Sequence, residues 1–426
     1  MTNPNQHIIP RDQHSVSREF ISENALKVLY RLHKSGYQAY LVGGGVRDIL
    51  LGLRPKDFDI ATDATPEEIK KLFRNCRIIG RRFRLAHILY GRDIIEVATF
   101  RAHCDDNIEQ RGDGMIVRDN VYGTVEEDAI RRDFTVNALY YNIADFSIHD
   151  YCGGLADLEK RQLKMIGDPI ERYKEDPVRM LRAVRLGCKL GLTIEDNTAK
   201  PINEMAHLLE GIPAARLWEE YKKMFLSGRG QRTFNQLKSF GLLQYLFPQT
   251  SKEINEDDDF AEFVTLALEN TDRRISEDKS INPAFLLAVM LWKPLMDRTE
   301  RLVSKGMHFN DAFYKNFNPT INQQSQTVSI MKRHGAVMQD IWALQIRLKF
   351  NYGKRVWSVL DHPRFRAGYD FLVLRSEIDP SLKPLADWWT EFQEAGREQR
   401  IKMIAKGKSL GQKRNPRKRK SRTSNS

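Results

Sequence analysis

The sequence predicts an α+β protein, with a mixed-sheet domain over residues 1–150 and helices after it. Two observations carry this. Up to about residue 150, short apolar strands alternate with short capped helices. Beyond that point the apolar positions recur at helical spacing, as in EDPVRMLRAVRLGCKLGL, residues 175–192.

The elements follow in order. Residues 18–35 carry Ala25, Leu26, Leu29, Tyr30 and Leu32 at helical spacing, and Gly36 ends the run. AYLV, residues 39–42, reads as a buried strand, followed by Gly43, Gly44, Gly45 and a short helix, VRDILLG. TPEEIKKLF, residues 65–73, carries Thr65 as N-cap, Pro66 at N1 and Glu68 closing a capping box. Strands are expected at about 84–90 and 93–100. The expected domains are 1–150, a helical neck over 151–235, a helical body over 236–395 and a disordered basic tail over 396–426.

The net charge is +12, and residues 401–426 hold ten Lys and Arg with no Asp or Glu, so 12 − 10 = +2 remains for the rest. A charged arm on a balanced body suggests a polyanionic partner. The four cysteines, Cys76, Cys104, Cys152 and Cys188, are too scattered for a zinc site or disulfide framework. The longest apolar run, Ala284 to Trp292, is too short to span a bilayer, and the polar N-terminus has no signal-peptide core. A reducing, cytoplasmic setting is expected.

Chemistry concentrates in PKDFDIAT, residues 55–62. In a strand Asp57 and Asp59 share one face, with Phe58 and Ile60 on the other. Two adjacent carboxylates repel unless a cation lies between them. IIEVATF, residues 94–100, adds Glu96, which would be costly to bury between apolar neighbours without a partner. Asp57, Asp59 and Glu96 together suit Mg²⁺, with Mn²⁺ as a substitute; two such ions activate an attacking hydroxyl and stabilise a leaving pyrophosphate. The glycine run just upstream lets backbone N–H groups approach an anion, with Arg47 adding a charged contact. RRDFTVNALYY, residues 131–141, reads either as a charged helix start or as part of a site. In EDPVRMLRAVR, Asp176 is the expected N-cap with Pro177 at N1. Arg179, Arg182 and Arg185 share an arc there, apart from the core positions Leu181, Val184 and Cys188.

GGGVRDILLG, KDFDIAT, IIEVATFR, RRDFTVNALYY and EDPVRMLRAVR occur in the order found in the class II nucleotidyltransferases. That family comprises bacterial poly(A) polymerases and tRNA CCA-adding enzymes. The resemblance spans about residues 18–390 and is most specific in the first 200. It implies a DNA polymerase β-like palm followed by helical neck, body and C-terminal regions. IIGRRFRLAHIL, residues 78–89, resembles a signature of the poly(A) polymerases that CCA-adding enzymes lack. The expected activity is therefore template-independent transfer of AMP from ATP to RNA 3′ ends, in mRNA processing and decay. CCA addition to tRNA is the alternative, and a non-catalytic RNA-binding protein the contrasting class.

Carried over residue by residue, the resemblance makes Asp57, Asp59 and Glu96 the metal-binding catalytic carboxylates. Gly43, Gly44 and Arg47 match the triphosphate-contacting segment. Arg132 and Asp133 match the motif that positions ribose and phosphates. Asp176 and Arg179 match the base-contacting pair, with Arg182 and Arg185 on the same nucleotide-binding helix. Asp176 and Arg179 can supply the acceptor and donor that adenine's N6 and N1 require. Partners implied are ATP, RNA bound through the helical regions and tail, and mRNA-decay proteins, with a monomeric chain. His149-Asp150 reads as part of the DYCGGLADL pattern rather than an HD metal site, and the stretch between Arg101 and Gly114 is shorter than expected.

Overall fold

The computed structural model describes residues 7–80, 84–102 and 121–410. Arg81 and Arg82 of the 78–89 segment, Cys104, most of the Arg101–Gly114 stretch and the tail after Leu410 lie outside the described residues. Contacts divide the chain into two units, Met1–Met205 and Ala206–Ser426. The division falls inside the stretch 151–235 expected to form a neck.

The first unit is built on an eight-stranded mixed sheet. Its strands are β1 (His7–Ile9), β2 (Ala39–Val42), β3 (Asp59–Thr62), β4 (Cys76–Ile79), β5 (Leu85–Tyr90), β6 (Asp93–Thr99), β7 (Leu139–Asn142) and β8 (Ile148–Asp150). Their spatial order is β1-β8-β7-β2-β3-β6-β5-β4. Only the β3–β6 pair is parallel within it; the other neighbours run antiparallel.

Helix α1 (Glu23–Lys34) begins at Ser22, whose side chain accepts from the Ala25 N–H, and buries Ala25, Val28, Leu29 and Leu32. It packs on β2, β3 and β6. Helix α2 (Gly44–Leu50) starts one residue after Gly43, and α3 (Pro66–Leu72) carries the expected Thr65–Glu68 capping box. A second capping box, Thr124 with Glu127, starts α4 (Val125–Ile130). The RRDFTVNALYY stretch is not a helix start. It forms a 3-10 turn over Thr135–Asn137 and then β7. Helices α5 (Gly154–Glu159), α6 (Pro169–Glu175) and α7 (Val178–Leu190) complete the part that bears on the site.

The second unit is helical throughout its described residues. A core cluster of Leu344, Leu348, Val356, Phe365, Tyr369, Leu372, Trp389 and Phe392 holds several of its helices together. The tail was expected to be disordered from residue 396, yet Arg397–Leu410 is helical. Met403 is buried in the same cluster, and Arg400 Nε donates to the Phe392 carbonyl at 2.8 Å. These contacts offset the weak apolar content that suggested disorder.

Asp150 holds the floor of the first unit in place: its carboxylate accepts from the N–H groups of Cys152, Gly154 and Leu155 at 2.9–3.1 Å. His149 contacts Tyr151 Oη and Ser147 Oγ. Both residues of the HD dipeptide are thus engaged in local structure. A Cβ on Gly154 would meet the Thr135 carbonyl oxygen at 2.2 Å. Gly154→Ala is therefore expected to push α5 off the 135–137 turn and cost about 3 kcal/mol, read as a lower midpoint in chemical denaturation.

Candidate active site

The register of the sheet sets the site. Hydrogen-bonded pairing aligns Tyr140 with Val42, Val42 with Asp59, Asp59 with Glu96, Glu96 with His87, and His87 with Arg77. Residues opposed across neighbouring strands point to the same face. Tyr140 and Val42 are buried with Phe100, Ala129 and Tyr151, whereas Asp59, Glu96 and Arg77 are open to solvent. One continuous face thus passes from a packed apolar half to an exposed acidic and basic half.

Two expectations change here. Asp57 lies ahead of β3 rather than within it, although the alternation holds, with Phe58 and Ile60 buried and both aspartates exposed. Glu96 is not buried: its side chain is 48% exposed, because the face it shares with Ile94 is the open one.

His87 Nε2 lies 3.4 Å from Glu96 Oε1, a contact that sequence reading missed. The signal was the H in LAHILY, inside an expected strand, but nothing in the sequence fixed its register to Glu96. Although Asp59 meets solvent, protein atoms crowd its carboxyl on the sheet side; that partial desolvation, then the neighbouring Glu96, raises it to about 6, while Arg132 opposes this and Asp57 adds to it. A carboxyl so raised carries an electrostatic strain that a bound cation would relieve. Among the described residues, no three His, Cys, Asp or Glu side chains close into a metal cage. The arrangement is an open set of hard oxygens. It fits Mg²⁺, which takes one or two carboxylates and completes its shell with water and substrate phosphate.

Gly43 has φ +66° and ψ −128°, a conformation that favours glycine, and a Cβ there would stand 3.2 Å from Arg132 Nη1. The missing side chain lets the guanidinium lie against the turn between β2 and α2. Arg132 Nε donates to Tyr140 Oη at 2.7 Å and Nη2 to Asp128 Oδ2 at 3.1 Å, while Tyr140 Oη donates to Asp128 Oδ2 at 2.6 Å. Burial alone would lower the arginine's affinity for its proton, but Tyr140 and Asp128 outweigh it and keep the group firmly charged. Asp128, also missed in the sequence, is the buried anchor of that charge. Its signal was the i, i+4 spacing to Arg132 on a capped helix.

Arg47 does not stand open toward a ligand. It is buried, with Nε and Nη2 on Asp48 Oδ1 at 2.9 and 2.5 Å and Nη1 on Asn137 Oδ1. Asn137 Nδ2 in turn donates to Asp133 Oδ1 at 3.0 Å, and Asp133 Oδ2 accepts from Arg182 Nε at 2.7 Å and from Arg182 Nη2. A polar chain therefore runs from α2 through Asn137 to α7.

On α7 the expected division holds: Leu181, Val184 and Cys188 are buried and Arg179, Arg182 and Arg185 lie at its half-buried margin. The helix starts at Val178 rather than at Pro177, with Asp176 Oδ1 accepting from the Val178 N–H at 3.1 Å. Arg179 Nη1 donates to Glu175 Oε2 and to the Arg172 carbonyl, each at 2.7 Å. Arg172 is itself buried and donates to the carbonyls of Arg131 and Arg132, which links α6 to the Arg132 segment.

Family models match three stretches: "Poly A polymerase head domain" over 39–164, "Probable RNA and SrmB- binding site of polymerase A" over 191–254, and "Polymerase A arginine-rich C-terminus" over 305–424. The fold is similar to that of the Bacillus stearothermophilus CCA-adding enzyme in complex with CTP. That match has a TM-score of 0.58 and 22% identity, covering 91% of this chain and 82% of that one. The fold and the head-domain match together define a nucleotidyltransferase.

Sequence similarity narrows the class. The chain is 50% identical to poly(A) polymerase I of Salmonella typhimurium over 92% of its length and 86% of the relative's. It is 46% identical to poly(A) polymerase I of Haemophilus influenzae over 95% and 92%. The chain belongs to the poly(A) polymerase I family and is a polynucleotide adenylyltransferase.

The Asp133–Arg182 pair makes a prediction about acid stability. Burial would raise the Asp133 carboxyl, but the Arg182 charge, the Asn137 amide and the Phe134 N–H outweigh it and hold it below the usual range. A depressed carboxylate stabilises the fold above its unfolded-state pKa and loses that contribution as pH falls through the folded value. Arg182 is 33% exposed, so Arg182→Ala should cost about 2 kcal/mol at neutral pH, less than a fully buried pair. The deficit should shrink below about pH 4, seen as converging wild-type and variant denaturation midpoints.

Proposed function

We propose that the exposed half of the sheet face, Asp57, Asp59 and Glu96, is where AMP passes from ATP to an RNA 3′ end. The observation that carries this reading is the pairing of Asp59 with Glu96, on adjacent parallel strands, one residue row from the Gly43 turn and the Arg132 charge. The same three carboxylates would hold two magnesium ions; when bound, these would supply Lewis acidity to the attacking hydroxyl and to the triphosphate.

This chain's own residues then have distinct tasks. Asp57 and Asp59 accept no covalent bond; they hold negative charge where cations and phosphate must meet. The RNA 3′-hydroxyl loses its proton to water as its oxygen forms a bond to the α-phosphorus, the bond from that phosphorus to the bridging oxygen of the β-phosphate breaks, and pyrophosphate departs with the electron pair. Gly44 offers a backbone N–H without a side chain in the way, while the Gly43 N–H is donated to the Leu139 carbonyl at 3.3 Å and fixes the turn; Arg132 sets a fixed positive charge against the departing phosphates. His87 orients Glu96 through their 3.4 Å contact. Asp133 acts through Arg182 and Asn137, and Arg47 through Asn137, as positioning residues. Asp176, just ahead of α7, and Arg179 and Arg185 on it read the adenine and ribose, with Arg179's rotamer fixed by Glu175. RNA lies along the helical unit and the basic tail in a cytoplasmic, monomeric enzyme whose products feed mRNA decay.

Asp57→Asn and Asp59→Asn should lower the rate of AMP incorporation on the order of a thousandfold or more. RNA affinity, measured without nucleotide, should stay the same or rise slightly, because a negative charge facing phosphate has been removed. Near-normal turnover in Asp59→Asn would remove the assignment.

The tail is tested separately. Because Arg397–Leu410 packs on the helical core, the informative truncation ends after Leu410 and removes seven Lys and Arg. If half of them touch phosphate, the salt dependence of single-stranded RNA binding should flatten by a slope of about 2. Turnover at saturating RNA should not change.

A further inference from the structure

The helical unit carries an aromatic pair that its own packing does not explain. Leu348 and Val356 are fully buried members of one core cluster, and Trp389 Nε1 donates to the Leu348 carbonyl at 2.8 Å. Between these two anchors the chain KFNYGKR, residues 349–355, turns outward through Gly353 at φ +75°, where a Cβ would meet nothing within 4 Å. Phe350 is 37% and Tyr352 40% exposed, with ring centroids 6.1 Å apart and planes at 83°. Both rings stand partly at the surface although the buried core resumes at Leu348, two residues before Phe350, and at Val356, four after Tyr352.

Their surroundings are basic. Residues 347–366 include six Lys or Arg and a single acid, Asp361. Lys354 and Arg355, directly after the turn, are exposed and make no ion pair among the described residues. Arg347 is held by its donation to the Ser358 carbonyl at 3.1 Å, and Lys349 Nζ lies 5.5 Å from the Phe309 ring centroid. A self-satisfied charged surface would pair these cations with nearby carboxylates. Here Lys354 and Arg355 follow directly on two rings that are each more than one-third exposed.

Aromatic rings set among cations are what an unpaired nucleic acid strand requires. Each base can stack on a ring whatever its identity, and each phosphate meets a lysine or arginine. We propose that Phe350 and Tyr352 form a stacking platform for bases of single-stranded RNA, with Lys354 and Arg355 holding the adjoining phosphates. The anchoring of Leu348 and Val356 keeps the platform ordered before RNA arrives, which lowers the entropic cost of binding. This rests on the reading of RNA as substrate, and adds to it a site for sequence-tolerant grip on the strand.

The test compares two probes of roughly twenty units, oligo(A) and an abasic ribose-phosphate oligomer of equal charge, bound to the full-length chain without nucleotide. Phe350→Ala with Tyr352→Ala should weaken oligo(A) binding about tenfold or more and leave the abasic probe unchanged, since only the former has bases to stack. Phe350→Trp and Tyr352→Phe should retain oligo(A) affinity. Lys354→Ala with Arg355→Ala should weaken both probes and reduce the salt slope by about 1.4. Because the two rings are surface residues, thermal unfolding should not move. Equal loss on both probes, or unchanged oligo(A) binding in the double alanine variant, would overturn the platform. AMP incorporation by the wild-type chain onto the same oligo(A) reports on the functional reading independently, because the platform is read by binding alone.

Discussion

The first unit depends on one buried polar connection, the contact of Asp133 with Arg182 and its continuation through Asn137 to Arg47. Burying a carboxylate and two guanidinium groups costs far more than their attraction returns unless every group is paired with good geometry. That requirement fixes geometry rather than stability. Asp133 comes from the segment leading into β7, Arg182 from α7 and Arg47 from α2, so one set of hydrogen bonds orients three elements around the same face. Arg172 repeats the device from α6 by donating to the carbonyls of Arg131 and Arg132. With both links made, the Arg132 guanidinium has few positions open to it besides the one against Gly43.

The face it borders is built from opposed costs. Crowding of the Asp59 carboxyl by protein atoms, and then its place beside Glu96, raises it to about 6, so the arrangement opposes full ionisation when no cation is present. An acidic pair that served stability would be spaced apart or neutralised by a neighbouring lysine. Here, among the described residues, the compensating charge beside Asp59 is Arg132, itself tied to Asp128 and Tyr140. Electrostatic strain confined to an exposed patch, beside a side-chain-free turn, is the signature of a site prepared for charged reactants.

Much of this was legible in the sequence where the signal is local. The strand at Ala39–Val42, the Thr65–Glu68 cap and the buried-exposed alternation through Phe58, Asp59 and Ile60 all follow from neighbouring residues. Motif order supplied the class of enzyme. What escaped reading depends on long-range register. Nothing near His87 says that it will pair opposite Glu96, and nothing near Arg47 says that Asn137, ninety positions on, will accept from it. Glu96 seemed set between apolar neighbours, but only the order of strands decides which face of β6 is left uncovered. The helical character of Arg397–Leu410 likewise comes from burial of Met403 in a tertiary cluster, which local composition cannot reveal.

Base choice joins the two halves of the proposed function, in which the carboxylates would activate any nucleoside triphosphate and the residues at the start of α7 would select one. The most direct measurement is extension of an unstructured RNA by the purified chain with each of the four nucleoside triphosphates supplied alone. Long homopolymer from ATP and little product from CTP, GTP or UTP is the expected result. Comparable extension from CTP, or addition that requires both CTP and ATP and stops at a fixed end, would contradict it.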